Sequence, residues 1–170
     1  MAEDPTAGRP FIFAIDPGLT AGVCLIQRDN LTKLYSDELK WKEAARYMAL
    51  VFGEFKTELD VVCEAFRITP QTAKNSAGAA ATAIEQIGQV RLMCLQYGVS
   101  DGDSLPLQTP GDAQDFSNGD KLRALGWWHK GGKGHANMAL RHAALRLLRT
   151  GCRDRTLLGL DSEQPTEKTS

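Results

Sequence analysis

Two acids close apolar runs, and their placement defines the chemistry open to this chain. Asp16 ends Phe11-Ile-Phe-Ala-Ile15 and begins Asp16-Pro17-Gly18-Leu19-Thr20-Ala21-Gly22, while Glu64 directly follows Leu59-Asp-Val-Val-Cys63. Both runs are short and rich in β-branched or aromatic residues, which reads as buried strand. If the two strands are neighbours, two carboxylates lie side by side at one sheet edge. Like charges held that close are costly unless a cation joins them. Carboxylate oxygens suit Mg²⁺ or Mn²⁺. The usual work of such a pair is phosphodiester hydrolysis, in which one ion activates water and a second stabilises the leaving oxygen. A turn former or a surface charge is the plainer reading of either acid; the apolar strand ahead of each weighs against it.

The elements that must position these acids follow from periodicity. Residues 11–15, 20–27 and 31–36 read as three strands joined by tight turns, an antiparallel meander. Trp41 to Phe55 places apolar residues at helical spacing, and 59–63 is strand again, so the helix is a crossover to a parallel partner. Ser76 to Tyr97 is a long Ala-rich helix capped by Gly98. Ser104 to Gln108 is a short edge strand weakened by Pro106. Short helices are expected between Asp112 and Gly126, and Gly134 to Thr150 is the last helix. The expected fold is α/β: a mixed five-stranded sheet, three strands antiparallel and two parallel, flanked by helices. This order resembles that of the RNase H-like fold. One domain over 11–158 is expected, with a disordered arm over 1–10 and a disordered tail over 159–170.

Composition narrows the classes. The chain has 170 residues, 42% hydrophobic, with net charge −1, ordinary for one globular domain. It is too short for the two-domain actin-like kinases, which also carry an Asp-x-Gly-x-Thr run. No apolar run reaches a membrane span, and no basic leader precedes an apolar stretch. Cys24, Cys63, Cys94 and Cys152 form no CxxC pair, so neither a zinc site nor a disulfide framework is indicated. Reduced thiols in a cytoplasmic setting are expected. The charge is unevenly spread: nine of the 20 Lys and Arg lie between Lys121 and Arg155 against one acid, Asp154. That makes a basic face suited to phosphates, or a solvated helix with incidental arginines.

Three segments carry a resemblance. FIFAIDPGLTAGVCLI resembles the first hairpin of the RuvC family of Holliday-junction resolvases, and VVCEAF resembles that family's second acidic motif. GWWHKGGKGHANMALRHAALRLLR is similar to the closing helix of the smaller RuvC-like resolvases of bacteriophages. Together they span residues 11 to 150 in order. The resemblance implies a homodimer in a bacterial host's cytoplasm that binds branched DNA, chiefly four-way junctions. It would nick two strands using two Mg²⁺ or Mn²⁺ ions per site. It implies that Asp16 bridges both ions, that Glu64 binds one and that His135 belongs to the site, as a third metal ligand or as the group that positions or protonates a reacting oxygen.

The same resemblance exposes a departure. The family's closing helix supplies a final Asp where this chain has Met138. A thioether is soft and uncharged and does not serve Mg²⁺. At 100° per residue, His135, Met138 and His142 lie within roughly 60° of one another on the helix, with Arg146 and Arg149 nearly on the same side. Ala136, Ala139, Leu140, Ala143, Ala144 and Leu147 make the inward stripe. Met138 therefore faces the site. Three accounts stand: a natural low-activity resolvase, a junction-binding protein without cleavage, or a deliberate change that traps a complex. Asp112, Asp115 or Asp120 could swing in. His142 reads as structural or DNA-facing. A ribonuclease H acting on RNA–DNA hybrids is a further alternative, for which carboxylates are too few.

The remaining assignments concern DNA and a second subunit. Phe66, next to the catalytic acid, could stack on an unpaired base or simply pack. Arg67, Lys74, Lys121, Lys130, Lys133 and Arg141 are the cations assigned to phosphates, and the Gly131-Gly132-Lys133-Gly134 loop offers backbone amides. At least one of Trp127 and Trp128 is expected in the core. The long helix has two apolar sides, one for the sheet and one for a second subunit whose two-fold symmetry would match a junction's. A fully buried core helix is the competing reading.

Overall fold

Phe11–Asp16 (β1), Thr20–Gln27 (β2), Thr32–Lys40 (β3), Leu59–Glu64 (β4) and Leu107–Gln108 (β5) form one sheet, ordered β3-β2-β1-β4-β5. β1, β2 and β3 are antiparallel neighbours; β1–β4 and β4–β5 are parallel. Helices are Trp41–Phe55 (α1), Ala77–Gln96 (α2), Pro110–Phe116 (α3), Gly119–Ala124 (α4), Gly134–Arg149 (α5) and Arg155–Leu158 (α6). This computed structural model describes residues 6–66 and 77–159. The mixed five-stranded sheet with flanking helices is the expected architecture.

Strand alternation builds two cores. Phe13, Ile15, Val23 and Val61 pack on one face with α1 and α2, through Met48, Phe52, Ile87 and Val90. Ile12, Ala14, Cys24 and Val62 pack on the other face with α5, through Ala139, Leu140, Ala143 and Leu147. The period of two therefore puts Asp16 and Glu64 on the α5 face. The stripe from Ala136 to Leu147 is fully buried, as its spacing predicts. Among the described residues, no helix is long and apolar enough to cross a membrane.

Three element boundaries differ from expectation. β3 runs on to Lys40, through Asp37 and Glu38. An edge strand pairs on one side only and tolerates charges that a hydrophobic pattern treats as a strand end. β5 shrinks to two residues: Pro106 has no N–H to give, and only its carbonyl joins the sheet, accepting from Cys63 N at 3.0 Å. The closing helix is not the last, because Asp154 caps a further turn, α6, by accepting from Leu157 N.

Most of the two expected arms, residues 1–5 and 160–170, lies outside the described residues. Thr6 is buried and donates to Asp60 Oδ1 at 3.1 Å, and Arg9 donates to Leu59 O and Val99 O. The chain is thus tied down from Thr6 onward. The cysteines are unpaired, with Cys24, Cys63 and Cys94 buried.

Candidate active site

Strand register assembles the site. The last bridged pair of β1 and β4 is Ile15–Cys63, so Asp16 and Glu64 are one step beyond it on adjacent strands. Asp16 pairs with Gly22, Gly22 with Glu38, and Glu64 with Gln108. One residue from each strand thus forms a row across the sheet: Glu38, Gly22, Asp16, Glu64, Gln108.

Helix α5 crosses this row. Its first turn lies directly on Gly22, where an added Cβ would overlap the His135 carbonyl; only glycine admits the helix at this height. Glu38 Oε1 accepts from His135 N at 2.7 Å and Ala136 N at 3.4 Å, capping the helix from another strand. His135 Nδ1 is 2.8 Å from Asp16 Oδ2. Two turns later, His142 Nε2 is 2.9 Å from Glu64 Oε2, and its Nδ1 is 3.1 Å from Gln108 Oε1. From the opposite face, Gln86 on α2 donates to Gly18 O at 3.0 Å and fixes the turn after Asp16.

The Asp16 carboxyl is pushed up to about 7. Burial is the main cause and the charge of Glu64 the second; His135 pulls it down, and Glu38 adds a smaller push upward. An acid raised by a neighbouring acid is one that a cation would relieve.

Asp16, Glu64, Phe66, His135, Met138 and Arg141 share the lining of a cleft of about 740 Å³. Among the described residues, no group of three or more His, Cys, Asp or Glu is arranged to hold a metal ion. Asp112 pairs with Arg149 at 3.2 Å and Asp120 with Arg123 at 2.6 Å. Asp115 is exposed, and none of these three acids lines the cleft.

The DNA-assigned residues separate. Phe66 is half-buried, packed on the α1–α2 core while lining the cleft. Lys121 lies over the Phe116 ring and donates to Phe116 O. Lys130 is exposed, and Lys133 is paired with Asp37. Arg141 lies 6.0 Å from the Trp128 ring, which Arg123 also covers at 4.8 Å. Its buried Nε has no hydrogen-bond partner among the described residues. Arg67 and Lys74 lie outside the described residues. Trp127 is in the core, its Nε1 donating to Leu31 O.

One helix residue is not where the sequence reading put it. Arg146 does not flank the cleft: it is buried against both oxygens of Asp60, at the opposite end of β4 from Glu64, with Arg28 also on Oδ2. Of the two readings of His142, structural or DNA-facing, its full burial leaves the structural one. Glu38, Gln86 and Gln108 were missed as site residues. Only strand pairing could have found Glu38 and Gln108, since each is opposite a neighbour in the row rather than near it in sequence.

No family model matches the sequence, and no curated protein is similar enough to be matched. Among solved structures, the chain superposes on RuvC of T. thermophilus, determined in complex with Holliday junction substrate. The TM-score is 0.56 at 19% identity, covering 83% of this chain and 96% of that one. The chain has the RuvC fold. The first hairpin, second acidic strand and closing helix that carry the resemblance supply, within this RuvC fold, Asp16, Glu64 and His135 to one cleft.

Proposed function

We propose that the chain is a divalent-metal-dependent endonuclease that cuts branched DNA, four-way junctions first, by phosphodiester hydrolysis. The observation that carries this reading is the Asp16–Glu64 pair at adjacent strand ends, with His135 beside it, in a chain that shares its fold with a junction-bound RuvC.

The donor set suits Mg²⁺ or Mn²⁺. Asp16 and Glu64 each use one oxygen on a histidine, and the other has no hydrogen bond among the described residues. Hard oxygens next to a mutual repulsion favour such ions, whose remaining positions water and DNA phosphate can fill. Bound ions would supply an activated water and a stabilised leaving oxygen. The chain's own residues do the rest. Asp16 and Glu64 hold the ions, and His135 orients Asp16 through Nδ1. The half-exposed His135 ring leaves Nε2 available to hold or give a proton. Arg141 meets a phosphate at the cleft wall, and Phe66 offers an aromatic edge to an unpaired base.

A second copy completes the reading. Ile84, Leu92 and Leu95 are exposed on the outer side of α2, while Ile87, Val90 and Cys94 pack in the core against the sheet. An apolar outer face on a helix already packed on its inner side supports a two-fold dimer across α2.

One observation favours a second reading. Met138 lines the cleft where a carboxylate would face the ions, which supports a protein that binds junctions and cuts them weakly or not at all. The deciding experiment incubates a synthetic four-way junction with wild type, Asp16→Asn and Met138→Asp in Mg²⁺ and in Mn²⁺, following binding and nicking together. Symmetric nicking by wild type and none by Asp16→Asn supports the nuclease. Binding without nicking, with nicking gained by Met138→Asp, supports the binder. No binding by any variant overturns both.

A further inference from the structure

Glu64 is held from behind by two residues to which the reaction assigns nothing. Its Oε2 meets His142 Nε2 at 2.9 Å, and His142 Nδ1 meets the Gln108 side-chain amide at 3.1 Å. The three come from β4, α5 and β5. Gln108 is the direct cross-strand partner of Glu64 in the parallel ladder, and its backbone carbonyl accepts from Ala65 N at 2.7 Å. His142 is fully buried and its partner Gln108 nearly so.

The geometry points to His142, backed by Gln108, as the positioning residue of Glu64. This rests on the metal-dependent reading of the site and names residues it does not contain. The argument is one of donors and acceptors. A carboxylate oxygen only accepts, so His142 Nε2 carries the proton in this contact. That bond fixes the rotamer of Glu64 and occupies Oε2, leaving Oε1 as the oxygen for the cleft. Gln108 fixes the ring in turn. Its Oε1 faces Nδ1, and its Nε2 is buried without a partner among the described residues. A half-turn of the amide would present an N–H instead, so Gln108 meets Nδ1 whether or not that nitrogen carries a proton. A buried histidine with both nitrogens committed, one to a site carboxylate, matches the outer-shell arrangement that orients metal-binding acids. A histidine serving only the core would not end on the one acid of β4 that lines the cleft.

The test is Mn²⁺ binding by the protein without DNA, followed by the electron paramagnetic resonance signal of the free ion. His142→Gln keeps an amide N–H where Nε2 stands; His142→Asn keeps a polar group only at the Nδ1 position; His142→Leu keeps neither. We expect His142→Leu and His142→Asn to weaken Mn²⁺ binding about tenfold or more. His142→Gln should recover most of that loss, and Gln108→Leu should weaken binding by roughly threefold, less than a direct partner of Glu64. Thermal unfolding of each variant separates packing from positioning, since a purely structural histidine would lower stability and leave Mn²⁺ affinity alone. If His142→Leu does not fold, the Asn and Gln variants decide. A folded His142→Leu that binds Mn²⁺ like wild type overturns the inference, as does a His142→Gln as weak as His142→Asn. Wild type that binds no Mn²⁺ overturns the metal reading of the site itself and the inference with it.

Discussion

His135 and His142 stand seven residues apart on α5, and each holds one oxygen of one site carboxylate: His135 on Asp16, His142 on Glu64. Seven residues are two helical turns and about 10 Å of rise, close to two strand spacings of about 4.8 Å. The helix runs across the row of strand ends, from His135 on Gly22 of β2 to His142 at Glu64 of β4, two strands on. His135 is half exposed and His142 is fully buried. On the proposed reading, the first is open to substrate and the second holds geometry. Glu38 and Gly22 set where this helix begins, so all five strands take part in aiming two acids.

The raised Asp16 carboxyl predicts how metal binding depends on pH. Its folded value is about 7 against an ordinary 3.8, so below about pH 7 an ion must displace a proton. Mn²⁺ affinity should fall close to tenfold for each pH unit below 7 and level off above it. The stability of the metal-free protein runs the other way. The native state keeps its proton when the unfolded chain has lost it, so stability falls as pH rises from about 4 to about 7 and then stays low. Asp16→Asn, metal-free, should melt several degrees above wild type at pH 8, with the gap closing near pH 4. Thermal melts at the two pH values check this; an equal gap at both contradicts it.

Met138→Asp places a carboxylate in the cleft beside Asp16 and Glu64. Without an ion it adds a third negative charge to a site that already raises Asp16, so the metal-free variant should be less stable than wild type above pH 7. With ions the sign reverses, because ligand charge sets affinity. Mn²⁺ should bind roughly tenfold tighter or more, and junction nicking should rise with it. Calorimetric titration of Mn²⁺ into both proteins decides; equal affinity would mean that position 138 does not reach the ions.

The legible and hidden parts of the site divide along a physical line. Asp16 and Glu64 could be read because each ends an apolar strand, and both lie within short local patterns. Helix α1 was read to the residue because its apolar spacing runs uninterrupted from Trp41 to Phe55. The helical wheel put Met138 on the side of Asp16 and Glu64, and it lines their cleft, yet the wheel grouped Arg146 with them. A wheel carries angle but not the tilt of the helix over the sheet, which takes Arg146 to the far end of β4 and onto Asp60. The wheel likewise could not tell a buried His142 from an exposed one. Glu38 was hidden because charges on an edge strand mask its length. Gln108 was hidden because its role exists only through pairing with Glu64.

Gly22→Ala tests the seat of α5. The new methyl would overlap the His135 carbonyl and crowd Ala136 N. These are backbone atoms, so no side chain can rotate away. The helix start must lift, which breaks the Glu38 cap and moves His135 off Asp16. A loss of about 3 kcal/mol is expected, visible as a lower denaturation midpoint. Glu38→Ala should cost less, about 1 kcal/mol, as the loss of one helix cap, and Glu38→Gln less again because an acceptor remains. A Gly22→Ala protein as stable as wild type would mean that the helix does not lie on the sheet at this point.

Arg141 is the cleft cation with a structural support, and its support predicts a distinctive mutational pattern. Trp128 stands 6.0 Å from its guanidinium, and both Arg141 and Met138 line the same cleft. A planar guanidinium can stack on the indole and still offer a fork of N–H groups to phosphate. Arg141→Ala should weaken junction binding evenly across sequences and lower the salt dependence by about one phosphate contact. Arg141→Lys keeps the charge but not the planar stack, so it should restore the salt dependence more fully than the affinity. Trp128→Leu leaves Arg141 in place without its support and should weaken binding while the salt slope stays near wild type. Metal-free junction binding at a series of salt concentrations separates these cases. A wild-type salt slope in Arg141→Ala would place the phosphate contact on another cation, with exposed Lys130 the next to substitute.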